Sequence, residues 1–104
     1  MKKLALMTAL VAGAFAATPA MADPMANMTK AGCMACHAKD KKLVGPSFQD
    51  IAAKYKGQGA EATLFEKVRK GGSGSFGPVP MAPNSADKIN DADLKAAIDF
   101  ILKS

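Results

Sequence analysis

Both cysteines and the only histidine of this chain fall within five consecutive residues, Cys33-Met34-Ala35-Cys36-His37. Whatever the chain folds into must use all three together. Residues three apart share one side of a helical turn, so the two sulfurs point the same way. A disulfide between them would close a tiny loop, with little entropic benefit and no use for the histidine. A thioredoxin-like redox pair belongs with a βαβ pattern, and nothing between residues 23 and 104 alternates as strands do. A structural zinc site takes four ligands, and the chain offers three cysteines or histidines in all.

Cys-x-x-Cys-His is the attachment motif for a c-type haem. Cys33 and Cys36 reach the two vinyl groups along one side of a porphyrin and form thioethers. His37, next in the chain, is then placed to reach the iron. Composition agrees with a group in the middle of the fold. The chain has five Phe, one Tyr and no Trp. So small a domain buries a modest core and often needs a staple or a cofactor.

The N-terminus reads MKKLALMTALVAGAFAATPAMA. A basic start, an apolar run from Leu4 to Ala17 and the small-x-small triplet Ala20-Met21-Ala22 make a secretory signal peptide. The run of 14 residues is short for a bilayer span, which takes roughly 20. The expected organisation is a cleaved signal at 1–22 and one domain at 23–104, in the periplasm. Without Lys2 and Lys3 the domain carries 12 basic and 9 acidic side chains, a formal +3. The lysines are scattered, with no aromatics interleaved, which excludes a nucleic-acid platform.

Four helices are predicted. Asp23-Pro24 caps a first helix that runs through Met25 and Met28 to the cysteines. Ser47-x-x-Asp50 starts a second, with Phe48, Ile51, Ala52 and Tyr55 on one face, and Gly57 and Gly59 end it. A third covers about Ala60 to Lys70, burying Leu64, Phe65 and Val68, and Gly71-Gly72 stop it. Asn90 caps the fourth, Ile89 staples onto Leu94, and Leu94, Ala97, Ile98 and Ile101 form its inner stripe. Lys39 to Pro46 reads as a loop. So does Gly71 to Asn84, with four glycines and three prolines. A flexible linker would be polar throughout. This one carries Phe76, Val79 and Met81, so it reads as an ordered loop that holds an apolar side chain in place. It is not a P-loop, because no Gly-Lys-Ser/Thr follows the glycines.

Haem iron has a second axial position, and there is no second histidine to fill it. Methionine is the natural soft ligand. Met1, Met7 and Met21 leave with the signal, and Met25, Met28 and Met34 share a segment with His37. Met81 lies 44 residues beyond His37 in Pro-Val-Pro-Met-Ala-Pro, with ample chain to cross to the other haem face. The rival reading leaves the iron five-coordinate, as in an enzyme or gas sensor. Another rival is a tethered subunit of a larger complex.

The chain resembles small bacterial class I cytochromes c of the c-551 type over essentially all of residues 23 to 104. The stretches that carry the likeness are GCMACHAKDKKLVGPSFQDIAAKYKGQGA, GPVPMAPN and LKAAIDFILKS. The resemblance implies an all-α fold of about four helices around one covalent haem, and an electron carrier rather than an enzyme. It implies a monomer with transient redox partners, such as a bc1-type donor and a terminal oxidase, nitrite reductase or peroxidase as acceptor. Pro46 would accept a hydrogen bond from His37, and Asn84 would donate its amide to the Met81 sulfur. The first and last helices would meet at Phe100. Relatives often place a propionate-bonding tryptophan where Phe76 stands, and an aromatic where Met28 stands. Docking residues would be Met34, Ala35, Leu43, Val44, Val79, Pro80 and Ala82, with Lys39, Lys41 and Lys42 as a basic rim.

Overall fold

The computed structural model describes residues 23–104, and the expected signal peptide lies outside them. Helix α1 is Pro24–Ala31, a single 3-10 turn covers Cys33–Ala35, and α2 is Phe48–Tyr55, α3 Glu61–Lys70 and α4 Asp91–Leu102. The described residues contain no strand, only two isolated antiparallel bridges, His37 with Lys42 and Gly72 with Met81. The expected helical architecture is what is found.

Local chemistry sets the ends. Asp23 accepts from the amide of Met25, and Pro24 occupies the first turn, where no intrahelical donor is needed. Gly32 stops α1 in the left-handed region at φ 89°, where its amide bonds the carbonyls of Met28 and Thr29. That turn breaks the chain direction immediately before Cys33. Ser47 accepts from Asp50 at the start of α2, and Asn90 accepts from Asp93 at the start of α4. Each such cap is worth ~1 kcal/mol.

Helix α4 is the central element and packs on α1, α2 and α3. Its stripe of Leu94, Ala97 and Ile98 is buried with Met28, Phe48, Ala60, Leu64 and Ile89. Burying each large side chain contributes about 1.5–3 kcal/mol. Ala97, with no exposed surface, lets neighbouring helices approach closely. Met28, on α1, is fully inside the core. Phe100 is half-buried against the same cluster, with Lys39 Nζ 5.8 Å from its ring centroid. The aliphatic faces of these helices do not close on one another. They leave a cavity of about 370 Å³.

Candidate haem site

The cavity runs from the cysteine turn to the glycine-rich loop. Cys33, Cys36 and His37 line it from the cysteine turn, Met81 and Gly71 to Phe76 from the glycine-rich loop, and Phe48, Leu64, Val68, Leu94 and Ile98 from the helices. Both cysteines are free thiols. Cys33 is half-buried, and that burial pushes its thiol pKa above the usual value. It therefore faces the cavity as a neutral thiol rather than a thiolate.

His37 is oriented by three features of the following loop. Its Nδ1 lies 2.7 Å from the carbonyl of Pro46. A carbonyl can only accept, so Nδ1 carries the proton and Nε2 keeps its lone pair. That tautomer is the one a metal ligand needs. The ring stacks on Phe48 with centroids 5.8 Å apart. Its edge rests on Gly45, where a Cβ would stand 2.6 Å from Cε1. The loop is tied to the cysteine turn by Gly45 N to Cys36 O at 2.7 Å, and to the next segment by Phe48 N to Ala38 O at 2.9 Å.

Met81 is presented from the glycine-rich loop. Gly72 and Met81 exchange both backbone hydrogen bonds, at 2.9 and 2.8 Å, closing the ten-residue loop at its neck. Gly71 lies so close to the backbone of Met81, Ala82 and Pro83 that no side chain fits there. Phe76 packs edge-on to Tyr55 at 6.4 Å, beneath Lys54, whose Nζ is 4.4 Å from the ring centroid. Lys54 also donates to the Ser75 carbonyl, and Lys67 bonds Ser75 Oγ at 2.7 Å.

Asn84 is placed differently from what the resemblance implied. Its Nδ2 donates to the carbonyls of Val68 at 3.3 Å and Ala82 at 3.0 Å, so both amide hydrogens are spent on oxygen. Carbonyl oxygen is a much stronger acceptor than thioether sulfur. The expected docking residues divide. Ala35, Leu43, Val44, Val79, Pro80 and Ala82 are exposed, with Val44 and Val79 57 and 55 % accessible. Met34 instead is half-buried and packs on the core.

Two thiols, an imidazole with a free Nε2 and a thioether around one apolar cavity fit an iron porphyrin. The thiols suit its vinyl edge, and the soft sulfur and imidazole suit its iron. The fold and site define a c-type haem protein. The cytochrome c family model matches residues 22–104. The chain is 55 % identical to cytochrome c2 of Rubrivivax gelatinosus, covering 80 % of this chain and 99 % of that protein. It is 41 % identical to cytochrome c-551 of Pseudomonas aeruginosa, over 98 % of this chain and 97 % of that one. The crystal structure of Nitrosomonas europaea cytochrome c552 superposes with a TM-score of 0.69 at 42 % identity, covering 76 % and 96 %. The chain belongs to the cytochrome c family, as a small class I cytochrome c with one covalently attached haem c.

It is an electron carrier rather than an enzyme. Among the described residues no helix is long and apolar enough to cross a membrane.

Sequence reasoning missed three residues that shape this site. Gly45 and Gly71 are set by close approach, which has no local signature. Arg69, which bonds both Asn84 and α4, did have a signal: it is the only arginine in the chain.

Proposed function

We propose that the mature protein, residues 23–104, is a monomeric periplasmic carrier of single electrons. Cys33 and Cys36 hold the haem, and His37 and Met81 are the axial ligands. The observation that supports this reading is that His37 and Met81, far apart in the chain, line one apolar cavity, each pinned by its own loop. The bound haem supplies the Fe(III)/Fe(II) couple, and a soft thioether favours the ferrous form, which suits a relatively high potential. With both axial positions filled, no site is left for a substrate.

The chain's own residues then do four things. Pro46 holds the proton on Nδ1 of His37. The Gly72–Met81 bridge holds the thioether side chain against the cavity. The apolar walls exclude water, and Lys67, which lines the cavity, would be a donor for a propionate in a chain whose Phe76 cannot donate. Electrons would leave across the exposed apolar residues Leu43, Val44, Val79, Pro80 and Ala82, with Ala35 beside them and Lys39, Lys41 and Lys42 adjoining. A bc1-type donor and a terminal oxidase, nitrite reductase or peroxidase are the partner types that fit. The signal-peptide pattern read in the sequence of residues 1–22 supports export.

Visible spectra of the oxidised and reduced protein test the ligation directly. Met81→Ala should abolish the thioether–iron charge-transfer band and admit carbon monoxide to the ferrous form. The same change at Met25, Met28 or Met34 should leave the band in place. A band that survives Met81→Ala would overturn the assignment.

A further inference from the structure

We infer that Arg69 is the positioning residue that keeps Met81 on the iron, acting as a clamp on the far end of the loop. The inference rests on the reading of Met81 as an axial ligand.

Arg69 sits near the end of α3 with its side chain only 16 % exposed. Its Nη1 donates to the carbonyls of Asn84 at 3.1 Å and Ile89 at 2.8 Å. Its Nη2 meets Asp91 Oδ1 at 2.7 Å. One planar fork therefore joins α3, the exit of the Met81 loop and the first turn of α4. The stem of the fork is itself held, with the guanidinium carbon 5.1 Å from the centre of the Phe65 ring. Asn84, thus gripped, bonds back to Val68 through its amide at 3.0 Å and its side chain at 3.3 Å. The loop entry is fixed independently, by Gly71 N to Lys67 O and by the Gly72–Met81 pair.

Met81 thus hangs between two anchorages, and Arg69 supplies the outer one. Arg69 is not among the residues that line the cavity, so any effect on the iron must travel through the loop. A lysine cannot substitute, because a single ammonium on a flexible stem does not span three acceptors in fixed directions. The chain's 13 other cationic side chains are all lysine, and none of them makes a comparable set of bonds among the described residues. Hydrogen bonds from a charged donor are the stronger class. Losing them should raise the population of loop-open molecules about tenfold.

The test uses the haem-loaded protein. Arg69→Met, Arg69→Lys and a control Lys103→Met, which cuts the unrelated exposed pair with Asp99, are heated while two signals are followed. One is the thioether–iron charge-transfer band and the other is helical circular dichroism. Carbon monoxide association with the ferrous form is measured at low temperature. The expected result for Arg69→Met is band loss well below the helix melt, and carbon monoxide entry about tenfold faster than in the unaltered protein. Arg69→Lys should be intermediate, and it keeps the test open if the methionine variant does not fold. Lys103→Met should lose band and helix together.

Band and helix lost at one temperature in both Arg69 variants, with carbon monoxide entry unchanged, would overturn the clamp and leave Arg69 as a plain stability residue. Met81→Ala separates the two readings. If the band survives that change, the ligand assignment fails and the clamp with it. If Met81→Ala abolishes the band while both Arg69 variants behave as the control does, only the clamp fails.

Discussion

Gly45 lies against the edge of the His37 imidazole, leaving no room for a methyl group: a Cβ there would stand 2.6 Å from Cε1 and 3.0 Å from Nδ1. The ring is wedged between this backbone and Phe48, with its Nδ1 bonded to Pro46. Gly45→Ala should therefore tilt the ring and lengthen the Pro46 bond. Overpacking of this kind costs about 1–3 kcal/mol. The expected outcome is a lower melting temperature together with a shifted reduction potential. An unchanged potential would show that the imidazole orientation is set elsewhere.

Gly71→Ala should act on the Met81 loop. Gly71 has φ 67° and ψ −158°, a conformation almost confined to glycine, and forcing it costs about 1–3 kcal/mol. The added Cβ would also meet Pro83 N at 2.8 Å and Ala82 C at 2.9 Å. We expect the Gly72–Met81 bridge to open and the thioether–iron band to weaken, with the helices largely kept. Retention of the full band at room temperature would argue against it.

Asn27→Leu should stabilise the protein. The Nδ2 of Asn27 is buried and has no hydrogen-bond partner. An orphaned donor costs about 1–3 kcal/mol, and an apolar side chain of similar size removes that cost. A gain of about 1 kcal/mol would raise the melting temperature by roughly 4–8 °C in a domain this small. A fall in melting temperature would mean that Asn27 has a role its surroundings do not show.

Phe76→Trp restores an N–H at the loop tip. The ring already sits under Lys54 and against Tyr55, so an indole keeps the packing and adds one donor. The potential, or its dependence on pH, should shift when the new donor reaches a propionate. Titration of the potential across pH decides. Identical curves would leave Lys67 or water as the propionate's partner.

The apolar docking face predicts two separable effects on transfer to a natural acceptor. Val79→Glu or Val44→Glu should cut the bimolecular rate at every salt concentration, because desolvation of the contact is lost. Lys41→Glu with Lys42→Glu should slow it mainly at low ionic strength, since exposed charges are screened over about 8–10 Å in physiological salt. Stopped-flow rates across a salt series measure both. Apolar variants with native rates would place the docking face elsewhere.

Much of the fold was legible because its decisive signals are local. Ser47 and Asn90 announce their helices through side chains that bond amides three residues on, whereas the stop of α1 at Gly32 was not read, and the first helix ends short of the cysteines. The cysteines and His37 are adjacent in the chain, so their convergence needs no fold to be seen. The loop contacts were not legible, since they join residues far apart in the chain. Gly45 against His37, Gly71 against Pro83 and Arg69 on Asn84 and Asp91 depend on how loops cross. Asn84 shows the limit from the other side. Its position next to the Met81 loop was plain, but its partners were decided by which carbonyls α3 and the loop turn toward it.

The cavity between the helices has a consequence for how the protein matures. Its lining is the face that α2, α3 and α4 would otherwise bury in one another, so a chain that has not received its haem has no complete interior to collapse upon. Such a chain packs Phe48, Leu64, Leu94 and Ile98 around a space that nothing fills, and an unfilled cavity weakens the contacts its lining makes. With Cys33 and Cys36 as the proposed attachment points, joining the haem would also complete the interior, so the chain's folding would depend on its loading.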